Sequence, residues 1–229
     1  MSSASFDVLA RHYQRYAEIT DELYRPWLSR VIPRAPGGGG RALDLGCGSG
    51  RYSGLLAERH GSVLAVDGSP REIELARLDR AHPAIDYQAR DLFEVNPARD
   101  GQFDVVLAVN TLFSLRDYPR VLPHVRDLIA PGGRLVAVDV INPPNRTRRW
   151  HRAQAVRVAT MMGLRRRSLP DFTDVLRLRL HPVWLDHVTR NRPPTRPQCH
   201  GHYSREFPGV RLDDSLDRYL CGIVWDAPA

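Results

Sequence analysis

Apolar and aromatic side chains recur at three- and four-residue steps from residue 6 to residue 31: Leu9, Tyr13, Tyr16, Ile19, Leu23 and Leu28. That period predicts a helix with one buried face, which Pro26 is expected to break or kink. The run Arg-Ala-Pro-Gly-Gly-Gly-Gly-Arg at residues 34–41 reads as a flexible connector. Beyond it the period changes. Short apolar runs at residues 42–45, 63–66, 84–88, 103–109 and 134–140 predict strands. Helical faces fall between them, at Tyr52, Leu55 and Leu56, and at Val121, Leu122, Val125, Leu128 and Ile129. Pro123 should distort the first turns of the latter helix. Ser69-Pro70-Arg71-Glu72 spells a helix start: a capping serine, a first-turn proline and a glutamate that completes the box.

Strands alternating with helices at this spacing predict parallel βαβ units with both sheet faces covered. The expected fold is therefore α/β, a doubly wound, mostly parallel, seven-stranded sheet. The last third loses the rhythm. Residues 147–162 look helical. Residues 171–180 fit both periods, because Leu176, Leu178 and Leu180 alternate while Phe172, Leu176 and Leu180 share a helical face. Short helices are expected at 182–188 and 197–207, and a closing antiparallel pair of strands at 210–212 and 219–225. The predicted organisation is an N-terminal helical lid (1–33), an α/β core (41–140), a helical cap between the fifth and sixth strands (141–208) and the closing strand pair (209–229).

Charge changes this picture little. The 229 residues carry a net +7, and every basic residue is an arginine. Residues 1–140 hold 17 Arg against 18 acids, and the remainder 16 Arg against 8, so the surplus lies in the last part. An arginine-rich composition of this kind fits a GC-rich coding sequence better than a nucleic-acid footprint, since the arginines are scattered. No apolar run reaches the roughly 20 residues of a membrane span, and the first residues lack the pattern of a secretion signal. Three widely spaced cysteines, Cys47, Cys199 and Cys221, suggest neither a disulfide framework nor a metal-ligand set. A cytoplasmic location is expected, and a homodimer stays open.

The chemistry concentrates in Ala-Leu-Asp-Leu-Gly-Cys-Gly-Ser-Gly-Arg at residues 42–51. It stands at the carboxyl end of the first predicted strand, where open α/β sheets bind ligands. Gly46, Gly48 and Gly50 are spaced G-x-G-x-G, whereas a dinucleotide fingerprint needs G-x-G-x-x-G, and Arg51 stands at its third glycine. With no lysine in the chain, a phosphate-binding Walker loop is excluded. Asp44 would repel a pyrophosphate but suits a ligand bearing an ammonium or sulfonium.

This loop, Leu-Asp-Leu-Gly-Cys-Gly-Ser-Gly, resembles the signature of class I, Rossmann-like S-adenosylmethionine-dependent methyltransferases, and the likeness extends from Ala42 to about Val140. Asp67 ends the second strand, Asp91-Leu92 ends the third unit, and residues 103–110 and 128–139 resemble the fourth strand and the entry to the fifth. The resemblance implies S-adenosylmethionine as cofactor and S-adenosylhomocysteine as product. It implies Asp44 on the cofactor's amino group, with the backbone of Gly46, Cys47, Gly48 and Gly50 beside it. It places Asp67 and Gly68 at the ribose, Asp91 and Leu92 at the adenine, and Asn110 at the methionine part. The N-terminal helix resembles the lid of small-molecule enzymes of this group, with Tyr13 or Tyr16 near the cofactor carboxylate.

In-line methyl transfer needs positioning above all, and a general base when the acceptor must lose a proton. His187 and then His202 are the candidate bases, from the histidine-rich segment that also holds His151, His181 and His200. No carboxylate or cysteine stands at metal spacing around His200 and His202, so no metal is expected. The fourth strand is followed by Asn110-Thr111-Leu112-Phe113, which lacks the motif for methylating nucleobase amines. The expected acceptor is a small molecule of the natural-product (secondary-metabolite) kind. The alternatives are a tRNA or rRNA methyltransferase, or an enzyme that binds the cofactor for a reaction such as cyclisation.

Overall fold

The computed structural model describes residues 10–115, 117–142, 147–190 and 193–229. Its most apolar stretches form the centre of the sheet. Strands β1 (Arg41–Leu45), β4 (Phe103–Val109) and β5 (Ile129–Val140) bury residues 42–45, 105–108 and 135–139 without alternation because both faces are covered there. With β2 (Ser62–Asp67), β3 (Ile85–Ala89), β6 (Arg211–Asp213) and β7 (Leu220–Asp226) they make one seven-stranded sheet, in the order β3-β2-β1-β4-β5-β7-β6. The pairs from β3 to β5 are parallel, and β7 lies antiparallel to both β5 and β6. This is the expected architecture, closing pair included.

Register brings the carboxyl ends of the parallel strands to one edge. Leu45 pairs with Val66, Asp67 with Ala89, and Val109 with Val138. Because β7 runs the other way, its first residues arrive at the same edge, and Cys221 pairs with Asp139. One face is filled by Leu43, Val106, Leu135 and Ile223 together with the helices packed on them.

Helix α1 (Ala10–Val31) has Pro26 inside it rather than at its end. The helices between strands are α2 (Ser53–Ala57), α3 (Pro70–Asp79), α4 (Pro97–Asp100), α5 (Leu112–Leu115) and α6 (Tyr118–Asp127). The serine half of the expected α3 start is present, with Ser69 Oγ accepting from the Glu72 N–H at 3.3 Å, but the Ser69 N–H that a capping box would use donates to Asp67 Oδ1 at 2.8 Å. Between β5 and β6 come α7 (Arg148–Arg166), α8 (Leu169–Leu180), α9 (Pro182–Arg190) and α10 (Arg196–Glu206). The ambiguous stretch is thus helix α8. Ser168 caps it, accepting from the Asp171 N–H at 3.2 Å, and Val175 and Leu178 bury one face.

The chain divides into two units, residues 1–26 with 143–192, and residues 27–142 with 193–229. These units divide the chain differently from the expected organisation at two places. Residues 27–33 belong to the α/β unit, where Trp27 Nε1 donates to Asp213 Oδ2 at 2.8 Å. Helix α10, expected in the cap, also belongs there, because Cys199, Tyr203 and Phe207 are buried in the main core. The helical unit has its own small core of Ile19, Ala159, Met162 and Val175. Its buried Asp171 accepts from Arg15 at 2.6 Å and from Arg166 at 2.7 Å. Such a buried acid requires partners of this kind.

Candidate active site

The loop after β1 is built from inside. Gly46 and Cys47 both donate their N–H groups to Val66 O, at 2.8 and 3.0 Å, and Gly50 donates to Cys47 O at 2.9 Å. The Gly48 N–H goes to Asp67 Oδ2 at 2.9 Å. These amides are spent within the protein, so the loop is no phosphate cradle, in line with its spacing. Gly46 and Gly50 have φ of +69° and +78°. A β-carbon at Gly46 would overlap Thr111, and one at Gly50 would stand 2.6 Å from the Tyr87 hydroxyl. Glycine is therefore required at both by conformation and by space. At Gly48 the nearest atom to a β-carbon is Glu72 Oε2 at 3.7 Å, and at Gly68 nothing lies within 4 Å. Both backbones face open space that a ligand can enter. The Cys47 side chain does not, since it packs with Ala65, Ile73, Ala76 and Tyr87.

Asp44 is buried, and Ser53 Oγ donates to its Oδ2 at 2.7 Å. Burial pushes its carboxyl up to about 7, against the lowering effect of Ser53 and with a contribution from the Asp67 charge. Asp67 bridges the end of β2 and the loop. Its Oδ1 accepts from the Ser69 N–H at 2.8 Å while Oδ2 holds Gly48. Each carboxylate oxygen keeps a further lone pair for a ligand hydroxyl. Asp91 is exposed and caps the short turn Leu92–Glu94 by accepting from the Phe93 N–H at 2.9 Å. Leu92 turns into the core. Phe93, half-buried under Arg120 at 4.1 Å, is the apolar side chain at this surface.

Asn110 follows β4 directly at φ +57°, a conformation that asparagine tolerates better than most residues. Its N–H donates to Val138 O at 2.7 Å, which locks it against β5. One residue further along β5, Asp139 is fully buried. Its Oδ2 accepts from Tyr118 at 2.8 Å and from Tyr203 at 2.7 Å, and its Oδ1 from the Phe113 N–H at 3.2 Å. Burial raises this carboxyl, opposed by those three donors. His202 lies flat on Tyr118, with ring centroids 4.7 Å apart and planes 5° from parallel. Burial and then the Arg205 charge lower the His202 imidazole below its ordinary range.

Sequence reasoning named His202 as a candidate base but gave no role to Asp139, Tyr118, Tyr203, Ser53 or Thr111. Only Ser53, near the start of the helix after the glycines, carried a local signal. The side chains of Tyr13 and His187, two further candidates, lie outside the described residues.

The α/β unit therefore presents a glycine turn closed on itself, a buried acid at β1, and acids at the ends of β2 and β3. Arg51 is drawn aside over the Tyr52 ring at 5.5 Å. This donor set fits a nucleoside carrying a sulfonium amino acid rather than a polyphosphate. Fold and loop together define a class I S-adenosylmethionine-dependent methyltransferase.

Comparison with known proteins agrees. Residues 43–137 match the family described as methyltransferase domain. The chain is 28% identical over 205 residues to a ubiquinone biosynthesis O-methyltransferase of Xylella fastidiosa (strain 9a5c), covering 88% of this chain and 80% of that one. It is 35% identical over 107 residues to the protein of that name in Bradyrhizobium diazoefficiens, covering 46% and 41%. Among solved structures, an S-adenosylmethionine-dependent methyltransferase from Mesorhizobium loti superposes with a TM-score of 0.57 at 18% identity, over 88% of this chain and 96% of that one. The N-methyltransferase NodS of Bradyrhizobium japonicum WM9, in complex with S-adenosyl-L-homocysteine, gives 0.55 at 14% identity, over 94% and 88%. At these identities the structural likeness is one of fold.

Proposed function

We propose that the chain methylates a hydroxyl oxygen of a small aromatic acceptor of the quinol or catechol type. The names of the curated relatives support oxygen as the acceptor atom and a quinone precursor as the class. That is narrower than the natural-product acceptor expected from sequence. The observation that carries the reading is the group at the carboxyl end of β5, where Asp139 holds Tyr118 and Tyr203 and His202 lies on Tyr118.

When bound, S-adenosylmethionine supplies an electrophilic methyl carbon on a sulfonium. A phenolic hydroxyl must lose its proton as its oxygen forms the new bond to carbon. A neutral imidazole is the group to take that proton near neutral pH. The lowered basicity of His202 keeps it neutral there. Tyr118, fixed by Asp139, sets the plane of the His202 ring. Asp44 offers a carboxylate to the cofactor ammonium, Asp67 to its ribose hydroxyls and Asp91 to the adenine amine. His187 is the second candidate base and is tested beside His202.

The test is turnover of a soluble catechol with methyl-13C-labelled cofactor, read by NMR. The expected product carries its label on oxygen. His202→Gln is expected to lower kcat by about tenfold or more, within the range of general-base contributions, with the cofactor KM unchanged. Label on carbon or nitrogen, or no transfer to any phenol offered, overturns the acceptor class. Wild-type turnover in His202→Gln with loss in His187→Gln moves the base to His187.

A further inference from the structure

We infer that His200, Asp214 and Cys221 form a binding site for a thiophilic divalent metal ion of the zinc type. The three come from separate elements of the α/β unit: His200 from α10, Asp214 from the residue after β6, and Cys221 from β7. Their Nε2, carboxylate oxygen and Sγ all lie within 4.8 Å of one another. His200 Nε2 stands 3.2 Å from Asp214 Oδ1. Ligands around a tetrahedral zinc, with metal bonds of about 2.0–2.3 Å, lie roughly 3.3–3.8 Å apart. The His–Asp spacing is already near that range, and the exposed Asp214 can rotate to close the rest. Nitrogen, oxygen and sulfur in one set match zinc and its neighbours, whereas calcium and magnesium prefer oxygen alone.

The charges balance as well: a thiolate and a carboxylate neutralise a dication, with a neutral imidazole as third ligand. Cys221 is fully buried, while His200 and Asp214 are about a third exposed, so the ion has a route in from solvent. A second buried thiol, Cys199, lies within hydrogen-bonding reach of Cys221. Arg196 opposes the ion, because it pairs with the same Asp214 oxygen as His200 and must yield it. The expectation of no metal followed from spacing along the chain. The fold supplies the missing carboxylate and cysteine from residues 214 and 221. A metal held here would tie β7 and the β6–β7 connection to α10, the helix that carries His202 and Tyr203.

The test uses the full chain, reduced, stripped with a chelator and titrated with Co2+ and then Zn2+. Wild type is expected to bind about one Co2+ per chain with a thiolate-to-cobalt charge-transfer band, and zinc should abolish the band. His200→Ala and Asp214→Ala should each weaken binding by about tenfold or more, the lower range even for outer ligand partners. Arg196→Ala should tighten it. Cys221→Ser should lose the band while Cys199→Ser keeps it. Should Cys221→Ser fail to fold, the His200, Asp214 and Arg196 variants decide. No charge-transfer band in wild type, unchanged affinity in His200→Ala, or a band that follows Cys199 overturns the site.

Discussion

Asp44 carries two opposed demands. In its proposed role it must be ionised to meet a cofactor ammonium, yet the fold buries it, with Ser53 as its donor. With its carboxyl up to about 7 in the folded state, the folded chain keeps a proton that the unfolded chain has already lost. Stability from the neutral form is full below the unfolded pKa of about 4 and is lost as pH rises to about 7. Above that, holding the buried carboxylate costs on the order of 4 kcal/mol. Asp44→Asn keeps the shape and removes the titration. It is expected to unfold at higher denaturant than wild type near pH 8 by an amount of that order, with the difference shrinking toward about pH 4. Denaturant melts across this range check it, and a difference independent of pH would contradict it. Residues of this kind spend stability on function.

At the scale of elements, the sheet was legible because the apolar runs and the Ser69 cap are local signals. Helix α8 was not, since its leucines satisfy two periods at once and only packing on Ala159 and Met162 selects one. The Asp139 group was illegible for a different reason. Positions 118, 139 and 203 are far apart in sequence, and a tyrosine in a helical face reads as packing until the fold brings its hydroxyl to a buried acid. The members of the His200–Asp214–Cys221 cluster are closer in sequence, but they stand on a helix, a connection and a strand, so only the fold brings them together. The same acid explains why α10 joins the α/β unit, since its Tyr203 both fills the core and donates to Asp139. Tyr203→Phe retains the ring and deletes one of two donors to Oδ2. The expected loss is about 1–3 kcal/mol, the cost of under-satisfying a buried polar group, with helix content unchanged. Thermal melts and circular dichroism read both quantities; an unchanged melt would show that Tyr118 and Phe113 suffice.

Over the whole molecule, the arginine surplus that kept an RNA substrate open in sequence is partly absorbed by structure. Arg166 binds Asp171 and Glu22, Arg148 binds Asp186, Arg196 binds Asp214, and Arg211 shares Asp226 with Arg134. Among the described residues no helix is long and apolar enough to cross a membrane. Both units draw on two separated stretches of chain. The α/β unit concentrates its acids, its glycine turn and its Asp139 group at one sheet edge, and the account depends on that edge receiving the cofactor. Calorimetric titration with S-adenosylhomocysteine of the wild type and of Asp67→Ala tests this most directly. The account predicts about one site per chain in the wild type, and affinity lower by about tenfold or more (some 1.4 kcal/mol) in the variant. No binding to the wild type, or equal binding by a folded Asp67→Ala, would contradict it.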